Sequence, residues 1–350
     1  MKHWSPSQIA RLSRMRAGFL DGSAGRADYW EDVSVVELYD RTFGARIAWK
    51  WDAVLRELEV RGWRCNVKTL VDLGCGSGVG HRSVLAAWDR VGEGEGARRG
   101  LEHVVLMDRS AVAREYSAGR LRDWGVAPQA TRLCTEVGQI AATDWEDALV
   151  LVSHVVSELS DLDLDRWVAS LAGARALIWV EAGTREVSRR LVERVREPLR
   201  RQGWRAVAPC THSGGCPMLT VEWDRHWCHH FATVPAEVHQ DAAWRELSQG
   251  VEIDLRVLPY SFLVMESPRA RPSARPLPGV SRVIGQAREF KGYLKVLSCA
   301  EDVSGDWMLQ KRDAPGEFRR ITRNRGPHFY RWEVEGNRIR SGMAAEGLGD

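Results

Sequence analysis

The sequence predicts an α/β fold of the Rossmann-like kind: a mainly parallel sheet covered by helices, with helices ahead of it and a small β-rich domain behind it. Three observations carry this. From residue 67 onward, apolar strands alternate with amphipathic helices, the pattern of a parallel sheet buried on both faces. The first strand ends in a glycine-rich turn, "VDLGCGSG" (71–78). A proline- and arginine-rich stretch, "SPRARPSARPLPG" (267–279), then separates that pattern from short β-like runs, as a linker does.

Each element follows in order. The first 66 residues read as helical. Ser5-Pro6-Ser7-Gln8 opens a helix, with Ser5 as N-cap, Pro6 at the first helical position and Gln8 completing a capping box. The same stretch holds Lys2, Arg11, Arg14 and Arg16 with no acid before Asp21, so a mitochondrial presequence is the alternative; the ordinary helix is preferred. In "WKWDAVLRELEVRGW", Trp51, Val54, Leu55 and Leu58 share one face and Gly62 is placed to stop the helix. "VKTLVDLG", "LEHVVLMD", "DALVLVSHV" and "ALIWVEAG" read as strands, and "HRSVLAAWDR" and "DLDRWVASLAG" as helices. Val187, Leu191, Val195 and Leu199 line one face of a further helix, and "WRAVAP" and "PYSFLVME" read as two more strands. The expected division is an N-terminal helical region 1–66, a core domain 67–266 with a Cys-rich insertion 210–255, the linker 267–279, a β-rich domain 280–340 and a tail 341–350.

The 350 residues carry a net charge of +3 that hides segregation. Residues 136–166 have a balance of −7, and residues 311–340 a balance of +5. Only six of the 50 basic residues are lysine. Arginine's planar fork suits phosphate and its plane stacks on bases, although a GC-rich genome produces the same bias with no function attached. No apolar run approaches the roughly 18–20 residues of a membrane helix, and no secretory signal is expected because the first 20 residues lack an apolar core. Seven cysteines, an odd number, argue against a disulfide framework and leave reduced thiols for metals.

The glycine turn identifies a cofactor class by elimination and then by resemblance. A dinucleotide fingerprint needs glycines at i, i+2 and i+5, and the third position falls on Val79 or His81. A P-loop fails because no Gly-Lys-Ser/Thr follows. Asp72, Gly74, Gly76 and Gly78 instead resemble the first motif of class I S-adenosylmethionine (SAM)-dependent methyltransferases, and Asp108 resembles the acid that family places on the second strand for the ribose hydroxyls. The resemblance implies SAM as cofactor, with these five residues binding it. The competing reading is a glycine turn that holds no ligand. After the fourth strand, where amine methyltransferases carry an Asn/Asp-Pro-Pro-aromatic motif, the chain reads "SHVVSEL" (153–159). The catalytic residue is therefore unknown from sequence. His154 is a candidate general base, with Glu158 to orient it, against the commoner role of packing a strand end.

"CTHSGGCPMLTVEWDRHWCHHF" (210–231) concentrates three cysteines and four histidines. Cys210, Cys216 and Cys228 lack the close Cys-x2–4-Cys pairs of structural zinc, so spacing leaves the metal open and buried unrelated thiols remain an alternative. Together with "SHVVSEL", "EAGT" (181–184) and "HWCHHF", this segment resembles the methyltransferase-like family of mitochondrial small-ribosomal-subunit assembly and its bacterial homologues, described as ribosomal small-subunit rRNA methyltransferase-like. The resemblance spans about residues 30–335 and implies a four-iron, four-sulfur (4Fe-4S) cluster on Cys210, Cys216, Cys228 and Cys299, zinc being the alternative; Cys65, Cys75 and Cys134 fall outside it and read as packing residues.

It also implies small-subunit rRNA and ribosomal proteins as partners and no membrane. The compartment would be the bacterial cytoplasm, or alternatively the mitochondrial matrix. "FRRITRNRGPHFYRW", read as partly β, interleaves Arg319, Arg320, Arg323, Arg325 and Arg331 with Phe318, Phe329, Tyr330 and Trp332, which suits phosphate contact with base stacking; a solvated strand face is the plain alternative. Two functions follow as expectations: methyl transfer from SAM to rRNA, or an assembly factor that binds rRNA and uses SAM and cluster structurally. A nicotinamide oxidoreductase is disfavoured by the failed fingerprint.

Overall fold

The computed structural model describes residues 3–26, 28–91, 100–301, 304–323 and 328–345. The chain packs as two compact units: Met1–Ala53, Asn66–Val180 and Thr233–Leu258 form the first, and Val54–Cys65, Glu181–Ala232 and Pro259–Asp350 the second. These boundaries cut the expected Cys-rich insertion, giving 210–232 to the second unit and 233–255 to the first.

The first unit is built on β1 (Thr69–Leu73), β2 (His103–Met107), β3 (Thr131–Cys134), β4 (Leu149–Ser153) and β5 (Ala176–Ala182). All run parallel, in the order β3-β2-β1-β4-β5. The apolar runs of β1, β2, β4 and β5 are buried because helices link successive strands: α4 (Val79–Val91), α5 (Ala111–Asp123), α6 (Ala142–Trp145) and α7 (Asp161–Ser170). Ahead of them lie α1 (Pro6–Asp21), α2 (Val33–Tyr39), a π-helical turn (Asp40–Gly44) and α3 (Ala45–Val60). The Ser5–Gln8 capping box forms as read: the Ser5 hydroxyl accepts from the Gln8 amide, and the Gln8 side chain accepts from the Ser5 amide. Trp51, Val54, Leu55 and Leu58 are buried as their shared face predicts. Gly62 ends α3 in the left-handed region, with the Trp63 amide closing on the Leu58 carbonyl.

In the second unit, α8 (Arg185–Leu191), a π-helical turn (Val192–Arg196) and α9 (Glu197–Arg201) continue one another. β6 (Arg205–Ala208) and β7 (His230–Phe231) both pair antiparallel with β8 (Pro259–Glu266). In the first unit, α10 (Ala236–Gln240) and α11 (Ala242–Gly250) pack near the N-terminus, where the Trp4 indole donates to the Ala243 carbonyl at 2.8 Å.

The β-rich end closes on itself. β9 (Ser281–Val283) pairs with β11 (Tyr293–Cys299) and β13 (Phe329–Glu335), β11 with β12 (Gly305–Gln310), β12 with β14 (Arg338–Ala344), and β14 with β13. β10 (Arg288–Phe290) takes the stretch of the β11 edge beyond β9. "EFRRITR" departs from expectation: it lies in helix α12 (Pro315–Arg323), because Phe318 and Ile321, three residues apart, both point into the barrel core. Phe318 and Tyr330 are buried in that core and Phe329 in a separate cluster with Leu277, Val280 and Ala345, so three of the rings expected to stack on bases are interior instead; Trp332 is half-buried and donates to Ser298 Oγ at 3.0 Å. Arg319, Arg320 and Arg323 remain exposed on α12, and Arg331 on β13, while Arg325 lies outside the described residues. Among the described residues no helix is long and apolar enough to cross a membrane.

Candidate functional site

The strand order reverses between β1 and β4, and in open α/β sheets ligands bind at the carboxyl ends of the strands beside such a reversal. A cavity of about 500 Å³ lies there, lined among others by Gly74, Gly76, Asp108, Glu136, Ser153 and His154. The loop after β1 needs its glycines. Gly74 has φ +71°, and a Cβ on it would meet Val155 Cγ1 at 2.5 Å. Gly78, at φ +81°, would drive one into the His81 ring at 2.6 Å.

Asp108, just beyond β2, is fixed by backbone donors. Its Oδ2 accepts from the Gly76 amide and its Oδ1 from the Ser110 amide, each at 2.9 Å. Burial raises its pKa, and these two amides oppose the rise. Each oxygen keeps a lone pair, so the carboxylate can take both hydroxyls of a vicinal diol. Of the five residues expected to hold the cofactor, Gly74, Gly76 and Asp108 line the cavity. Asp72 and Gly78 do not. Asp72 is buried beneath the loop, where its Oδ2 pairs with His81 Nδ1 of α4 at 2.8 Å, and Gly78 packs against the same histidine. Both meet His81 beneath the loop.

The N-terminal helices supply a wall that no motif announced. Tyr29, Trp30 and Tyr39 line the cavity, with the Trp30 ring 4.7 Å from Tyr29 and 4.9 Å from Tyr39. Asp40, on the π-helical turn, latches this wall to the glycine loop. It accepts from Ser77 Oγ and from the Tyr116 hydroxyl, each at 3.1 Å, and from the Arg82 guanidinium. Arg82 also donates to the Gly78 carbonyl.

His154 has a different partner from the one expected. Glu158 accepts from the Tyr29 hydroxyl at 3.2 Å and lies beside Arg109, whereas His154 Nε2 stands 2.9 Å from Lys50 Nζ. An ammonium has only protons to give, so Nε2 accepts and the neutral ring carries its proton on Nδ1. In this arrangement Lys50 engages the lone pair that a general base would use. His154 sits at φ +57°, and burial together with Lys50 holds its pKa well below 6.5.

The consequence for stability has a definite sign. Above pH 6.5 the ring is neutral folded and unfolded. Below it, the unfolded chain takes up a proton the folded one refuses, so stability falls by up to about 1.4 kcal/mol per pH unit until the depressed pKa is reached. His154→Asn, whose side chain tolerates positive φ, should lose that component in urea unfolding followed from pH 7.5 to 5. Equal slopes for the two proteins would refute the assignment.

The second unit holds the four cysteines together. Cys210, Cys216, Cys228 and Cys299 line one cavity of about 20 Å³, with Arg196 and Arg282 in its wall. Burial is the largest influence on three of them, followed by the Cys210 thiol: it pushes Cys216 up to about 11, Cys299 up to about 12 and Cys228 well up. Arg196 Nε and Arg282 Nε are buried with no hydrogen-bond partner among the described residues. Glu57 pairs with both Arg61 and Arg282, so this buried triad carries one surplus positive charge beside the cavity. Four soft sulfur donors with buried guanidinium groups fit a thiolate-bound metal or cluster of net negative charge. Among the described residues, however, no three His, Cys, Asp or Glu side chains converge as a metal-ligand group. Cys65, Cys75 and Cys134 are buried and do not line this cavity, and Cys75 lines the cavity of the first unit.

Magnesium protoporphyrin IX methyltransferase from Synechocystis PCC 6803, solved with bound SAH, is 12% identical over 64% of this chain and 84% of that one, with a TM-score of 0.37. A putative RNA methyltransferase from Pyrococcus horikoshii is 12% identical over 62% and 83%, with a TM-score of 0.37. A putative tRNA (m1A22) methyltransferase from Streptococcus pneumoniae, in complex with S-adenosyl-L-methionine, is 13% identical over 63% and 75%, with a TM-score of 0.33. Likeness at this level says nothing of chemistry; the Rossmann-like fold rests on the chain's own parallel strand order. No curated protein matches. Residues 44–325 match the family model described as "Mitochondrial small ribosomal subunit Rsm22", and the chain belongs to the Rsm22 family.

Proposed function

We propose that this protein binds SAM in the cavity of the first unit and acts on small-subunit rRNA during ribosome assembly as a SAM-dependent methyltransferase. The observation that carries the reading is the cavity itself, where an amide-fixed Asp108 and the glycine loop meet at the sheet's switch point. SAM would supply an electrophilic methyl group there. Asp108 would hold the ribose diol, Gly74 and Gly76 would let the backbone approach, and Tyr29, Trp30 and Tyr39 would shut out water.

In the second unit we assign Cys210, Cys216, Cys228 and Cys299 as ligands of a 4Fe-4S cluster, zinc being the alternative. The cluster would act as a rigid crosslink between the cysteine loop and β11. The exposed Arg319, Arg320, Arg323 and Arg331 would contact rRNA phosphates, and ribosomal proteins would be neighbours on the subunit. The family's description favours the mitochondrial matrix over the bacterial cytoplasm.

A second reading, an assembly factor that binds SAM without turning it over, is favoured by one observation: Lys50 occupies the His154 lone pair that base catalysis would need. Labelled SAM incubated with immature small subunits separates the two. Methyl label in rRNA, lost with Asp108→Ala, supports the enzyme; rRNA binding without label supports the factor. Asp108→Ala should weaken SAM by at least about 100-fold by calorimetry, since two charge-assisted hydrogen bonds at about 1.5–3 kcal/mol each sum to about 3–6 kcal/mol. Unchanged SAM affinity would remove Asp108 from the site.

A further inference from the structure

We propose that the outward face of β11 and β12, with the tip of the β10–β11 hairpin, is a stacking platform for single-stranded RNA. This rests on the rRNA reading above and says which surface makes the contact.

The topology comes first. β9 with β10, β11, β12, β13 and β14 form a five-stranded closed barrel in which β12 and β14 are the parallel pair and α12 lies between β12 and β13. This is the arrangement of an oligonucleotide/oligosaccharide-binding (OB) barrel, whose second and third strands and first hairpin loop form its usual binding face. Here those parts are β11, β12 and the turn at Lys291-Gly292.

The side chains on that face agree. Leu294, Val296, Trp307 and Leu309 point into the core, so Tyr293, Lys295, Met308 and Gln310 alternate to the outside. Phe290, 43% exposed, pairs across the hairpin with Tyr293, and the two rings stack at 4.9 Å and 8°. An apolar ring pair left open to solvent at a strand tip has a flat face to offer, and every base has a π-face to lay on it.

Charge supplies the second, independent observation. Lys291, Lys295 and Lys311 are three of the chain's six lysines. They gather around this ring pair, and the Lys311 amide donates to the Gly292 carbonyl at 3.1 Å. The arginines of this face are already neutralised: Arg288 by Asp306, Arg338 by Asp313 and Arg340 by Glu335. None of the three lysines makes an ion pair among the described residues. The other acid of β10–β12, Glu289, alternates away from Phe290. Unspent positive charge around a stacked aromatic pair complements a phosphate backbone with unpaired bases.

The test uses the full chain and fluorescein-labelled oligouridylate of about 12 nucleotides, within the span one OB barrel covers. Anisotropy is measured over a salt series. Phe290→Ala should weaken binding about tenfold without changing the salt slope, and Phe290→Trp should restore it. Lys291→Gln, Lys295→Gln and Lys311→Gln together should make the log–log salt slope shallower by about 2. If these variants bind like the wild type while Arg319→Ala, Arg320→Ala and Arg323→Ala together abolish binding, the platform is wrong and the rRNA reading stands. A wild type that binds no RNA overturns both. Light scattering that shows a dimer broken by Phe290→Ala would make the face a self-interface and also overturn the platform.

Discussion

Serine at Cys216 or at Cys299 is expected to strip bound metal from the protein and to lower the stability of the second unit more than any other single substitution considered. The two residues lie more than 80 positions apart in the chain yet line one cavity with Cys210 and Cys228. A structural metal contributes on the order of 10 kcal/mol of folding free energy, because the unfolded chain holds no preformed site. Removing one ligand forfeits most of that and leaves buried thiols, with Glu197 and Glu57 as the remaining counter-charges of Arg196 and Arg282. The measurement is anaerobic purification, an absorption spectrum, and iron, sulfide and zinc quantification, followed by thermal unfolding. Wild type should be brown with iron and sulfide, both variants colourless and less stable, and Cys134→Ser, which alters a cysteine outside the cavity, unchanged. Stoichiometric zinc without sulfide would make this a structural zinc site. A metal-free wild type would overturn the assignment of these four cysteines as ligands.

What was legible in the sequence was local. Four of the five parallel strands were readable because each is an apolar run bounded by turn residues; β3, Thr-Arg-Leu-Cys, was not, because it is neither apolar nor buried along its length. The glycine loop was readable because Gly74 and Gly78 take backbone angles and close contacts that exclude a side chain. The capping box was readable because its partners are three residues apart. What was missed depends on tertiary packing. A motif cannot say which way a carboxylate turns, so Asp72 read like a ligand although it pairs with His81. His154 could not be matched to Lys50, which is 104 residues away.

Seven residues of "EFRRITR" could not separate a strand from a helix until Phe318 and Ile321 were seen to share one core. Neither π-helical turn left a sequence signal, yet each serves a site: one carries Asp40 to the glycine loop, and the other ends at Arg196 beside the cysteines. The rRNA expectation failed in part for the same reason, since rings alternating with arginines in sequence turned out to be core, and the exposed rings lie on another hairpin.

Arg61→Met is expected to cost about 3–5 kcal/mol, because it leaves buried carbonyls without their donor at about 1–3 kcal/mol each, while Glu57 keeps Arg282 as its partner. Arg61 is 2% exposed. Its guanidinium donates to the carbonyls of Val207 at 2.6 Å, Pro209 at 2.7 Å and Cys210 at 2.9 Å, and to Glu57 at 3.0 Å. The Phe329 ring lies against both it and Arg282, with the two guanidinium carbons 4.8 and 4.9 Å from the ring centroid. Three carbonyls that converge on one fork fix the path of the chain into Cys210, and methionine, of similar length, fills the space but offers no donor.

Arg61→Lys separates charge from shape: it restores a cation but cannot reach three carbonyls in a plane, so it should recover only part of the loss. The readouts are urea unfolding and the rate at which a chelator removes the metal. A loss below about 1 kcal/mol for Arg61→Met would mean that water replaces the fork and that the buried triad is not structural. Faster metal release in Arg61→Lys, with unfolding free energy nearly restored, would instead show that the arginine sets the position of Cys210, because a cation of the same charge in the same place would have preserved any purely electrostatic effect.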